Sequence, residues 1–71
     1  MYQMVRVVRV PTRVDAVWIA AKGIRGPEIG ETGCVVDICS EPQEMYCVES
    51  VLPDGSAKWL VDFLPDELAA T

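Results

Sequence analysis

Three cysteines, Cys34, Cys39 and Cys47, two tryptophans, Trp18 and Trp59, and eleven carboxylates are the groups in this 71-residue chain that could do chemistry. Histidine is absent, which removes the commonest general base and the commonest transition-metal ligand. No Cys-x-x-Cys spacing occurs, so neither a zinc site nor a thioredoxin-like pair is expected. Cys34 reads as a small core residue. Cys39 and Cys47 fall on outward positions of neighbouring strands and are the two thiols to test for reactivity, against the plainer reading of inert, partly buried thiols. Asp66 and Glu67 follow Pro65 in a short turn and read as capping acids, because paired carboxylates become catalytic only where a pocket drives their pKa values apart. The sequence therefore gives no catalytic residue, cofactor or metal site, and an enzyme acting alone is not expected.

Trp18 and Trp59 point to binding instead, since tryptophan is enriched where proteins meet partners. The competing reading puts both in the core, because the chain has few other large apolar residues. The segment Tyr2-Gln3-Met4-Val5-Arg6-Val7-Val8-Arg9-Val10 is the second candidate. It is rich in β-branched residues, stops at Pro11 and reads as a strand. Val5 and Val7 point one way and Met4, Val8 and Val10 the other, interleaved with Arg6, so neither face is cleanly polar. Met4, Arg6, Val8, Val10, Trp18 and Trp59 are thus the interface candidates.

Short strands must position these groups. Residues 14–20 form an apolar run in which alanines favour helix and Val17, Trp18 and Ile19 favour strand; its shortness favours strand. Residues 23–30 hold three glycines and Pro27 and form a loop. Residues 31–39 are the clearest strand, with Cys34, Val36 and Ile38 on one face and Val35, Asp37 and Cys39 on the other, which Asp37 marks as wet. A turn at 40–43 leads to a strand over 45–51, with Tyr46, Val48 and Ser50 opposite Cys47, Glu49 and Val51. Leu52-Pro53-Asp54-Gly55-Ser56 is a hairpin signal, and 57–63 complete the hairpin. Residues 64–68 read as one helical turn. The sum is one all-β domain over residues 1–71, a small barrel of about five strands.

The chain carries a net charge of −5, distributed unevenly. Arg6, Arg9, Arg13, Lys22 and Arg25 against Asp15 give the first 25 residues +4, and ten carboxylates against Lys58 give the remainder −9. The two parts could attract each other within one chain or between chains, or the skew could serve only solubility. Acidity argues against nucleic acid, whose binders rest on phosphate neutralisation. No apolar run is long enough to span a membrane and the start lacks the order of a signal peptide, so a cytoplasmic protein is expected, and the odd number of cysteines fits.

Several pieces share the order of one family: Asp15-Ala16-Val17-Trp18-Ile19, Glu28-Ile29-Gly30-Glu31-Thr32-Gly33-Cys34-Val35-Val36-Asp37-Ile38, Tyr46-Cys47-Val48-Glu49, Asp54-Gly55 and Leu64-Pro65-Asp66-Glu67-Leu68. Over residues 15–68 they resemble the small bacterial SH3-like proteins of the domain-of-unknown-function 4926 type, some of which look like products of mobile gene cassettes. The resemblance implies an SH3-like barrel of residues 14–68 with residues 1–13 as an extra N-terminal strand, and Ser50 departs from it where an aromatic is usual. Gly30-Glu31-Thr32-Gly33-Cys34-Val35-Val36 is also similar to the core of the KOW element, but acids stand here where basic residues would meet RNA.

The expected function is a non-enzymatic interaction module that self-associates, its first strand pairing with the sheet edge of a neighbouring copy. A second reading is an accessory subunit that binds a protein partner through the 23–30 loop, with Arg25, Glu28 and Glu31 as recognition candidates. A third places a cationic small molecule between aromatic walls and acids at a subunit interface.

Overall fold

The computed structural model describes residues 3–12, 17–20, 22–23, 26–41 and 43–71, and of residues 17–19 the backbone alone. Strand β1 (Met4–Val7) is followed by β2 (Val17–Ala20), β3 (Thr32–Cys39), β4 (Met45–Val51) and β5 (Ala57–Phe63). A 3-10 turn (Pro65–Glu67) then leads into the short β6 (Leu68–Ala70). All pairs are antiparallel and the sheet runs β2-β5-β4-β3-β1-β6. This is a mainly β domain, the small barrel that the spacing of strands and turns predicts, of the SH3-like kind that the resemblance implies, with β6 as a three-residue addition to the five expected strands. No helix among the described residues is long and apolar enough to cross a membrane.

Alternation builds the core. Val5 and Val7 of β1, Val35 of β3, Val48 of β4 and Trp59, Val61 and Phe63 of β5 form one buried cluster, with Tyr46 and Leu68 packed against it. Trp59 and Phe63 meet edge to face with ring centroids 6.0 Å apart, a geometry that aromatic quadrupoles favour. Every second residue of β5 is therefore inside, as period-2 counting requires.

β1 is an interior strand, paired on one side with β3 and on the other with β6. Both edges of β1 are thus used within the chain, whereas the sequence reading has this strand pair with the sheet edge of a neighbouring copy. Val5 and Val7 also belong to the core, which makes the segment integral to the barrel. The reason is compositional: a 71-residue chain buries too little surface to leave two valines of a β-branched strand outside.

β3 departs from simple alternation. Val35 faces Val48 and Asp37 faces Cys47, so one extra residue, Val36, sits in β3 as a bulge. The bulge flips the parity of everything after it. Ahead of it Gly33 and Val35 are buried; after it Asp37, Ile38 and Cys39 are all exposed, so Ile38 and the half-buried Cys34 both leave the core face on which alternation places them. Asp37 and Cys39 are thus on the wet face as predicted; Val35 is not.

Two turns follow from their residues. At the β4–β5 hairpin Gly55 takes φ 90°, which only glycine accommodates cheaply. Asp54 Oδ1 accepts the Ser56 N–H at 2.9 Å and the Ser56 hydroxyl at 2.6 Å, which holds the Asp54 carboxyl below its usual range. In the 3-10 turn, the buried Glu67 folds back so that its Oε1 accepts the Leu64 N–H at 2.7 Å, while its carbonyl accepts the N–H groups of Val8 and Arg9. Glu67 is thus the capping acid expected; its neighbour Asp66 pairs with Arg9 at the surface, at 3.1 Å.

Gly33 is required by packing. A Cβ there would lie 2.6 Å from Val48 Cγ1 and 2.9 Å from the Glu49 carbonyl oxygen. Gly33→Ala should therefore lower stability by about 1–3 kcal/mol, the usual cost of overpacking, read as a lower urea midpoint with an unchanged slope; an unshifted midpoint would show that β3 and β4 can part freely.

Candidate functional site

Glu31 stands immediately before β3, and its carboxylate meets three partners. Its Oε1 accepts the Glu28 N–H at 2.8 Å and the Trp59 Nε1–H at 3.3 Å, and its Oε2 pairs with the Lys58 ammonium. Lys58 and Trp59 are consecutive on a strand and would ordinarily point to opposite faces. They reach the same carboxylate because Ser50 faces Trp59 whereas Val51 faces Ala57, which makes Lys58 the extra residue of a second bulge. Burial by itself would raise the Glu31 pKa; the Lys58 hydrogen bond, the Glu28 N–H, the Lys58 charge and the Trp59 N–H outweigh it and hold the carboxyl below its ordinary value of 4.5.

Two expected binding residues are therefore structural. Trp59, named as an interface candidate, is 0% exposed and its one donor is satisfied by Glu31. Glu31, named as a recognition residue of the 23–30 loop, is spent inside the chain. Glu28 of the same loop is exposed, and Arg25 lies outside the described residues, as does the side chain of Trp18. The aromatic wall proposed for a cationic ligand loses Trp59 to the core.

The outward face of the sheet carries two shallow depressions, and of the remaining interface candidates Met4 lines the first. The first, about 230 Å³, is lined by Met4, Thr32, Gly33, Cys34, Glu49, Ser50 and Val51. Met4 faces Cys34 across β1–β3 and Cys34 faces Glu49 across β3–β4, so one cross-strand row crosses its floor. Met4 is 49% and Val51 56% exposed. Arg6 is two residues along β1 from Met4, opposite Thr32, and exposed. Val8 and Val10 follow, also exposed.

The second depression, about 300 Å³, lies across β3, β4 and β5 and is lined by Asp37, Cys39, Met45, Cys47, Leu60 and Asp62. Cys47 sits in register between Asp37 on β3 and Asp62 on β5. Burial, then the charge and hydrogen bond of Asp62, then the charges of Asp37 and Glu49, push its thiol up to about 11. Cys39 is exposed, and its thiol donates to the Glu41 carbonyl at 2.9 Å. Sequence alternation found both thiols. It missed Leu60 and Asp62, although counting by two from buried Trp59 and Phe63 puts them on the outer face.

No family model matches this chain, and no curated protein or solved structure shows significant similarity to it, so the functional reading rests on the residues themselves.

Two outcomes follow. Glu31→Gln removes the charge facing Lys58 and should cost about 1.5–3 kcal/mol, the scale of a charged hydrogen bond. Because the folded-state pKa is depressed, that stabilisation is complete above 4.5 and disappears as pH falls through the lower folded value. Wild-type and variant melting temperatures should therefore converge in acid; a constant gap down to strongly acid pH would discard the role of the charge. Second, iodoacetamide at neutral pH should label Cys39 before Cys47, because only a thiolate reacts and Cys47 holds its proton. Mass mapping that finds Cys47 labelled first would refute this.

Proposed function

We propose that the protein is a non-enzymatic interaction module that works as a homo-oligomer, its first contact being a two-fold pairing of the depression between β1, β3 and β4. The single observation behind this reading is the exposure of Met4 and Val51 around that depression, flanked by a cation on one side and an anion on the other. Arg6 and Glu49 make no ion pair among the described residues.

A two-fold contact is self-complementary by construction: a residue of one copy meets a different residue of the partner, and the partner returns the contact. Met4 of each copy would enter the other's depression, against Cys34 and Val51, while Arg6 of each reaches Glu49 of the other. The uneven charge of the chain favours a second copy over an unrelated acidic surface. Part of that complementarity is already satisfied within the chain by Arg9 and Asp66, an exposed pair that contributes little; Arg6 is left for the partner. The small core gives association a further role, since a domain of this size gains stability by covering apolar surface. The free thiols fit a reducing, cytoplasmic setting. Kinship with the small bacterial SH3-like proteins remains part of the same reading.

Sedimentation velocity tests it on the intact chain. The wild type should sediment above the 7.8 kDa monomer, and Met4→Asp and Arg6→Glu should each return it to monomer. Combining Arg6→Glu with Glu49→Arg should restore the pair by exchanging the charges. A wild type that stays monomeric at high micromolar concentration ends the proposal, and a double variant that fails to reassociate ends the Arg6–Glu49 pairing.

A further inference from the structure

We infer that the depression between β3, β4 and β5 is a binding site for one soft monovalent metal ion of the Cu(I) class, held by the sulfurs of Cys39, Met45 and Cys47. Three sulfur side chains line this one hollow. They gather there through strand register. Cys39 faces Met45 directly across β3–β4, and Cys47 lies two residues further along β4, opposite Asp37.

That register sets the spacing of the thiols. Cys39 and Cys47 are diagonal neighbours, a relation that separates Cα atoms by roughly 7–8 Å. A disulfide draws Cα atoms to about 4.4–6.8 Å, so the pair is too wide to close on itself without moving the backbone, and both cysteines are free. An ion between the sulfurs adds two metal–sulfur bonds of about 2.3 Å each, which spans the wider gap. Both thiols turn about χ1 to bind it: Cys39 gives up its bond to the Glu41 carbonyl, and Cys47 its bond to Asp62. Met45, directly opposite Cys39, supplies a thioether as third ligand.

The ligand set selects the class of ion. Thiolate and thioether sulfur prefer soft cations, of which Cu(I) is the common biological example. Among the described residues no group of three or more His, Cys, Asp or Glu side chains is placed to hold a metal. The assignment rests on sulfur, which completes a two- or three-coordinate soft ion without further ligands. Leu60 forms an apolar wall, and the carboxylates of Asp37 and Asp62 line the same hollow and favour a cation there. Two S–H bonds are exchanged for two S–metal bonds, the two protons leave to solvent, and the ion keeps its oxidation state throughout.

Titration of the reduced, intact protein with Cu(I) under anaerobic conditions, against a chromophoric Cu(I) chelator, tests the site. One equivalent should be withdrawn from the chelator, with a sulfur-to-metal charge-transfer band in the near ultraviolet. Cys39→Ser and Cys47→Ser should each lose that equivalent, and Met45→Leu should weaken binding by about tenfold, the scale of one supporting group. Cys34→Ser should bind as wild type, because Cys34 lines the other depression. Met4→Asp should also bind as wild type, which separates this site from the two-fold contact proposed above. The inference is overturned if the wild type withdraws no ion, or if Cys39→Ser and Cys34→Ser bind equally well. Circular dichroism of each variant distinguishes a lost ligand from a lost fold.

Discussion

The carboxylate of Glu31 is the contact on which the rest of the barrel depends. β1 and β5 are separated in the sheet by β3 and β4, so no ladder hydrogen bond can join them. Glu31 does so by both of its ends. Its carbonyl oxygen accepts the Val7 N–H at 2.8 Å while its side chain takes Lys58 and the Trp59 indole, and the Gly30 N–H returns to the Val7 carbonyl at 2.8 Å. The link closes the barrel over Trp59, the largest side chain in the core. A half-buried carboxylate is costly unless its lone pairs are filled; here an ammonium, an indole N–H and a backbone N–H fill them.

With that closure in place, two bulges set what the outer face presents. The extra residue Val36 leaves Val35 in and sends Asp37 and Cys39 out, and the extra residue Lys58 aims an ammonium at Glu31 rather than into solvent. Neither costs the core a residue. Each re-aims one side chain, the usual service of a bulge beside a working surface. The consequence is a sheet whose inner face is almost wholly aliphatic and aromatic and whose outer face is mixed, with exposed Met4 and Val51 at one part and thiols between carboxylates at another.

The two outer depressions differ in kind. One offers exposed apolar side chains between opposite charges, which suits a copy of itself; the other offers converging sulfur, which suits a soft ion. They share β3 and β4 yet no lining residue, so occupation of one leaves the ligands of the other in place. Both depend on register rather than on loops. A one-residue slip of β4 against β3 would turn Cys47 inward and Val48 outward, and would cost the core and both surfaces together.

Local rules made much of this legible beforehand. β-branched runs bounded by glycine and proline located all five expected strands, Asp54-Gly55 located the hairpin, and Pro65 with Glu67 located the closing turn. Alternation put Val5 and Val7 on one side of β1 and put Cys39 and Cys47 outward. What the sequence by itself determined is therefore what depends on near neighbours: element type, turn position and side-chain parity within an unbroken strand. The tertiary structure decided the pairing of β1 between β3 and β6, the bulges at Val36 and Lys58, the burial of Trp59 and the internal use of Glu31. Each of these joins residues far apart in the chain, and the free energy that selects them comes from filling one small core and satisfying the polar groups at its rim, a condition no local stretch of sequence contains.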